Sequence, residues 1–162
     1  MAQTYSVFVE IPKGSRNKYE LDKVTGRIRL DRMLFSSVHY PADYGFIEGT
    51  LGGDGDPLDA LVLVGEATFP GCVIEVRAVG VFRMTDDKGE DEKVLTVPIS
   101  DPHWNQLERL HDVPRHLLRE IEHFFTVYKD LEGKSVTIKG WEDEAVARGL
   151  IAEAVARAGG SA

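Results

Sequence analysis

The sequence predicts an α+β fold, a small β-barrel with helices packed against its outside. Two observations predict it. Apolar and β-branched residues recur at strand spacing through the first two thirds of the chain, while helical spacing is confined to the last third. Between the strand-like runs stand glycines and prolines, which break them into short pieces of barrel length.

The elements follow in order. "YSVFVEI" (5–11) alternates Tyr5, Val7, Val9 and Ile11, a half-buried strand. "KYELD" and "RIRLD", joined through Lys23, Val24, Thr25 and Gly26, form a hairpin with Gly26 in the turn. Residues 33–53 read as loop-rich, with Pro41, Gly45, Gly49, Gly52 and Gly53 as breakers. "ALVLV" (60–64) is a continuous apolar strand, and "CVIEVRAVGVFRM" (72–84) a long one bent at Gly80. "KVLTVPI" (93–99) follows a turn at Gly89 and pairs with it. In "VPRHLLREIEHFFTVYKDL" the spacing of Leu117, Ile121, Phe124 and Tyr128 predicts an amphipathic helix, with Asp112 as N-cap and Pro114 in the first turn. "KSVTIKGW" (134–141) is one more strand, and "WEDEAVARGLIAEAVARA" a second helix weakened at Gly149. The last residues, "GGSA", fray.

A chain of 162 residues fits one domain, taken as 1–162. No apolar run reaches the ~18 residues that span a bilayer. The start, "MAQTYSVFVE", has no basic and apolar leader pattern, so no membrane association is expected and the expected compartment is the cytoplasm. A single cysteine, Cys72, agrees with a reducing compartment and reads as a buried structural thiol. The net charge of −8 argues against a nucleic-acid partner, whose footprint is basic. An anionic ligand would need divalent cations beside it.

One stretch concentrates chemistry. "DGDPLD" (54–59) crowds Asp54, Asp56 and Asp59 into a turn stiffened by Pro57 and anchored by the apolar strand that follows. Like charges this close repel unless a cation sits among them, or water screens them on a solvated turn. The stiffening and the anchor favour the cation. An EF-hand fails, because Asp59 stands where that loop needs glycine and Gly65 where it needs glutamate. Carboxylates without nearby His or Cys select Mg²⁺, Mn²⁺ or Ca²⁺ over zinc. A second acidic group, Asp86, Asp87 and Asp91 with Lys93, lies between two strands that could carry it beside the first. Cations interleave with aromatics at Lys18, Arg32, Tyr40, Tyr44, Tyr128 and Lys129. Each alone reads as a surface charge or rim packing. Together, metal-held carboxylates with Arg, Lys and Tyr donors are what phosphoryl transfer requires.

These residues resemble the soluble family I inorganic pyrophosphatases. "DGDPLD" is similar to that family's D-x-D-P-x-D signature, and the phrases around it match in order: "EIPKGSRNKYE" (10–20), "DR" (31–32), "YPADYGFI" (40–47), "TDDKGEDEK" (85–93) and "HFFTVYKDLE" (123–132). The likeness covers residues 10–141. It implies a five-stranded OB-like barrel with flanking C-terminal helices, and hydrolysis of pyrophosphate to two phosphates, which supports biosynthesis by removing pyrophosphate. It implies several Mg²⁺ per site, with Mn²⁺ or other divalent ions as substitutes. By motif, Asp54, Asp59 and Asp91 hold the first ion and Asp59 bridges to the second. The attacking water lies between them, with Asp56 as its general base. Asp86, Asp91 and Glu10 hold ions that arrive with substrate. Lys18, Arg32, Tyr44, Lys93, Tyr128 and Lys129 bind phosphate oxygens, and of these Arg32, Tyr44 and Lys93 join Asp56 as the catalytic set. Glu20, Tyr40 and Asp87 support them. The bacterial-type members of this length imply a homohexamer, with the helical face around His116 and His123 as the expected interface.

Two rival readings are weaker. A single-strand-binding barrel needs a basic groove, which net charge −8 and two acidic clusters oppose. A hydrolase of larger nucleotides lacks a phosphate-cradling "GxxxxGK[ST]" loop.

Overall fold

The alternation at the start of the chain becomes β1 (Tyr5–Ile11), whose Tyr5, Val7, Val9 and Ile11 are buried while the residues between them are partly exposed. The structure, a computed structural model, describes residues 3–160, so the fraying expected of the last four residues falls partly outside it, at Ser161 and Ala162. The predicted hairpin is β2 (Asn17–Asp22) and β3 (Arg27–Met33), a two-stranded sheet of its own. Gly26 closes its turn at a φ of 73°, a conformation glycine adopts without cost.

The stretch read as loop-rich holds a strand, β4 (Asp43–Ile47). Gly45 had read as a breaker, yet it sits in the β1–β4 ladder opposite Val9. A Cβ there would lie 1.8 Å from the Phe8 carbonyl oxygen, so glycine marks a close backbone approach and not a turn. The remaining strands are β5 (Asp59–Val62), β6 (Val73–Asp86), β7 (Gly89–Pro98) and β8 (Thr137–Asp143). β6 and β7 run closer together than predicted, joined only by Asp87 and Lys88. The bend expected at Gly80 is a register shift in their ladder between Ala78 and Gly80. Cys72 precedes β6 and is half-exposed, a correction to the buried thiol, because it lies outside the strand's buried stretch.

The six-stranded sheet has the order β1-β4-β5-β7-β6-β8, with β5 and β7 parallel. β1 also pairs with residues 73–76 of β6, and β8 with residues 80–85. Two helices follow the strands as the periodicity required: α1 (Arg115–Val127) and α2 (Glu144–Arg157). Asp112 does not cap α1, since Pro114 takes that place. The Asp112 carboxylate instead accepts the Glu108 and Arg109 N–H groups in a preceding 3₁₀ turn. Trp141, read both as the end of the last strand and as the start of the second helix, lies in β8; Glu142 and Asp143, read as helix, end that strand, and Asp143 caps α2 by accepting the Val146 N–H.

Neighbouring residues on the central strands serve opposite faces. Leu61, Phe82 and Leu95 join Ile121, Phe124 and Phe125 of α1 in one core cluster. Val62, Val81 and Val94 join Ala147, Ile151 and Ala154 of α2 in the other. Burial on both faces explains why "ALVLV" is continuously apolar and not alternating.

Candidate active site

The parallel pairing of β5 with β7 sets Asp59 opposite Lys93, and Asp91 lies two residues before Lys93 on the same face. The Lys93 ammonium is the hub. It donates to the Tyr44 hydroxyl at 2.6 Å, to Asp91 at 3.0 Å and to Asp59 at 3.3 Å, and the Tyr44 hydroxyl donates to Asp59 at 3.0 Å. Its side chain is only 2% exposed and its nitrogen sits over the rings of Tyr44 and Phe125. Burial alone would lower the Lys93 pKa, but Tyr44, Asp91 and Asp59 outweigh it and hold the pKa well above the usual lysine value. Burial and the Asp59 charge push the Tyr44 phenol up as well. Tyr40, buried beneath, packs on Tyr44 and on Phe124 and so fixes the phenol from behind.

The turn before β5 is folded on itself. Gly52 N–H donates to the Asp56 carbonyl at 2.6 Å, and Asp56 N–H donates to the Asp54 carboxylate at 3.0 Å. Asp54 and Asp56 are exposed, and among the described residues no donor reaches the Asp56 carboxylate. Asp54, Asp59 and Asp91 line one cavity of about 330 Å³ together with Leu150, Glu153 and Arg157 of α2, while Asp56, Tyr44, Asp86 and Lys93 are not part of its lining. The two acidic motifs therefore do come together.

The hairpin brings the second set of cations. Lys18 stands opposite Arg32 in the β2–β3 register, and both reach the Asp31 carboxylate, at 3.2 Å and 2.6 Å. Arg32 Nε also lies 3.1 Å from a Glu132 carboxylate oxygen, an ion pair without hydrogen-bond alignment. Glu132 was missed from the sequence. It closes the phrase "HFFTVYKDLE", but an acid after a helix reads as solvated. Tertiary packing instead leaves its side chain 6% exposed, with its second oxygen lacking a hydrogen-bond partner among the described residues. Burial would lower the Arg32 pKa; Glu132 and Asp31 overcome that and raise it.

Asp86 and Lys129 meet at 3.3 Å, both largely buried, and Lys129 lies over the ring of Tyr128. Burial opposes the Asp86 charge, but the Lys88 N–H and Lys129 together hold its pKa low. Glu10 accepts the Leu21 N–H at 2.8 Å. That bond ties Glu10 of β1 to β2 of the hairpin. Glu20 and Asp87 are exposed, the latter in the β6–β7 turn.

The family model described as inorganic pyrophosphatase matches residues 7–159. The chain belongs to the inorganic pyrophosphatase family. It is 60% identical to the inorganic pyrophosphatase of Methanosarcina acetivorans over 96% of this chain and 92% of that one. The crystal structure of the inorganic pyrophosphatase of Thermus thermophilus superposes with a TM-score of 0.94 at 44% identity, covering 97% of this chain and 92% of that one. That of Helicobacter pylori has a TM-score of 0.94 at 43% identity, covering 99% and 96%. Membership makes the chain a hydrolase and gives the α+β architecture its relatives.

Inorganic pyrophosphatases are metal-dependent, and this chain's donor set fits that requirement. Among the described residues no three His, Cys, Asp or Glu side chains close into a ready-made cage. The acids that share a cavity are all hard oxygen donors, and burial opposes the charge on two carboxylates of the site. Burial, then Asp91, lift Asp59 from 3.8 to about 6 against Lys93 and Tyr44. Burial, then Asp59 and Glu20, lift Glu10 from 4.5 to about 7 against the Leu21 N–H and Lys18. The sign of the pH effect follows. A raised pKa means that the folded chain holds protons which the unfolded chain has released, so these two acids cost the metal-free protein stability as pH rises through their range. Thermal melts in chelator should therefore lose midpoint between about pH 4 and about pH 7, beyond what a double Asp59→Asn, Glu10→Gln variant loses. Mg²⁺ should raise the midpoint most at the upper end. An equal Mg²⁺ shift at both ends would contradict the assignment.

Proposed function

We propose that the chain hydrolyses pyrophosphate to two phosphates with Mg²⁺, as one domain spanning residues 1–162. The observation that carries this reading is the convergence of Asp54, Asp59 and Asp91 on one cavity beside the buried, hydrogen-bonded Lys93. The cyclic pairing of β1, β4, β5, β7 and β6 supports a five-stranded OB-like barrel beneath it.

Asp54, Asp59 and Asp91 would hold the resident ions, with Asp86 and Glu10 placed for those that accompany substrate. Bound Mg²⁺ would acidify the attacking water, align it and screen the polyanion. The chain's own residues do the rest. Asp56, whose carboxylate no donor among the described residues reaches, accepts the proton of the attacking water. Lys18 and Arg32 bind one phosphate, and Arg32 is held by Asp31 and Glu132 through two of its nitrogens, leaving other N–H groups for oxygen. Tyr44, Lys93, Tyr128 and Lys129 bind the remaining oxygens, with Lys93 held by Tyr44, Asp59 and Asp91 as a buried donor among them. Glu20, Tyr40 and Asp87 support them. Uncatalysed phosphate hydrolysis is slow enough that the barrier must fall by on the order of 20 kcal/mol, which explains why so many groups converge.

Mn²⁺ or another divalent ion should substitute for Mg²⁺. The proposed assembly is a homohexamer using the outer face of α1, where His116 and His123 are exposed, and the proposed compartment is the cytoplasm. Among the described residues no helix is long and apolar enough to cross a membrane. Phosphate release measured side by side from pyrophosphate, a nucleoside triphosphate and a phosphomonoester tests the substrate. Pyrophosphate should be strongly preferred with Mg²⁺. Equal rates on the larger substrates would overturn the proposal in favour of a broad phosphatase.

A further inference from the structure

The last turn of α2 grips the residue that leads into the acidic turn. Leu51 N–H donates to the Ala154 carbonyl at 3.0 Å, and the Leu51 carbonyl accepts from Arg157 Nη1 at 2.6 Å. Both backbone polar groups of Leu51 are thus held by one helix end more than 100 residues away in sequence. The helix itself is fixed, because Ala147, Ile151 and Ala154 are buried against Leu58, Val62 and Val94 of the sheet.

Beyond Leu51 the turn behaves as a unit. Gly52 N–H closes onto the Asp56 carbonyl, Gly55 N–H onto the Gly52 carbonyl, and Asp56 N–H onto Asp54. A Cβ at Gly52 would meet Asp54 Oδ1 at 3.0 Å and the Asp56 carbonyl oxygen at 3.1 Å, so the turn has little internal slack. The exit is pinned separately: Leu58 N–H donates to Thr50 Oγ1 at 3.0 Å, and that hydroxyl donates to the Ile47 carbonyl at 2.6 Å. A tightly closed turn moves as one piece about its anchors. Its entry is anchored by the pair of bonds from α2 at Leu51, next to the buried Thr50.

We infer that Arg157 is a positioning residue: through the Leu51 carbonyl it sets where Asp54 and Asp56 stand relative to Asp59 and Asp91. The inference rests on the metal-ligand and general-base reading of those two acids. An exposed arginine in the last turn of a helix has a simpler use, as a cation beside the helix C-terminus. That use predicts a loss of stability alone. Positioning predicts a loss of metal affinity and turnover with substrate binding spared, because Lys18 and Arg32 lie on the hairpin and do not depend on Leu51.

The test compares wild type, Arg157→Ala and Arg157→Lys. Mn²⁺ binding without pyrophosphate is titrated by the resonance signal of the free ion, and kcat, KM and the thermal midpoint are measured on the same samples. Arg157→Ala is expected to weaken Mn²⁺ binding and lower kcat, each by roughly 10- to 100-fold, with KM for pyrophosphate within about twofold. Arg157→Lys, whose ammonium can still donate to the Leu51 carbonyl, should recover much of both losses. Arg157→Ala with wild-type Mn²⁺ affinity and turnover, whatever its melting temperature, would overturn the inference. A wild type that binds Mn²⁺ but releases no phosphate would instead sink the pyrophosphatase reading, while the Mn²⁺ comparison would still decide the role of Arg157.

Discussion

Asp56→Asn should slow turnover by about 10²- to 10⁴-fold, the usual contribution of a general base, while metal binding and folding stay intact. The substitution keeps the size of the side chain and removes its ability to take a proton. Asp56 is exposed, and its carboxylate accepts no hydrogen bond among the described residues; only its backbone closes the turn, through the Gly52 contact and the bond to Asp54. The amide therefore disturbs no bond on which the turn relies. Asp54, Asp59 and Asp91 remain, so Mg²⁺ titration should give wild-type affinity and an unchanged melting temperature. The measurement is kcat from phosphate release beside calorimetric titration of the metal. A fully active variant would remove the base role from Asp56 and leave the family untouched. A variant that loses metal instead would make Asp56 a ligand.

Gly45→Ala should be the most damaging single methyl group in the chain. The added Cβ would stand 1.8 Å from the Phe8 carbonyl oxygen and 2.8 Å from its carbon, both backbone atoms that no rotamer change can move. β1 and β4 would have to part where Val9 faces Gly45. Tyr44, which binds Lys93 and Asp59, is the next residue along the strand. A loss above about 4 kcal/mol is expected, with activity falling alongside. Gly149→Ala provides the contrast. Gly149 lies inside α2, its Cβ would meet nothing within 4 Å, and its φ is not positive. Removing the glycine there should add about 0.5–1 kcal/mol. Urea midpoints of both variants check the pair, and a Gly45→Ala midpoint near wild type would contradict the β1–β4 register.

These glycines also show how far the sequence could be read. Gly26 and Gly45 look alike in the chain, yet one turns a hairpin and the other lets two backbones touch. That difference depends on the Phe8 carbonyl, far away in sequence, so β4 was hidden among apparent loop residues. The strands with long β-branched runs and the amphipathic α1 were legible because their periodicity is local. Asp112 failed as an N-cap because Pro114 and a short 3₁₀ turn intervened, a matter of two residues. At the site, "DGDPLD" announced itself through charge crowding, and the meeting of Asp59 with Asp91 and Lys93 followed from strand ends that proved adjacent. Glu132 and Arg157 carried no such signal. One is defined by burial against Arg32 and the other by a single bond to a backbone carbonyl, and neither leaves a trace in spacing.

The central claim is that these carboxylates work by holding metal for pyrophosphate hydrolysis. Phosphate release from pyrophosphate by the wild-type chain, first in chelator and then with Mg²⁺ restored, tests it most directly. The expected result is no release in chelator and rapid release on adding Mg²⁺. Release that persists undiminished in chelator, or none with any divalent ion, would contradict the account.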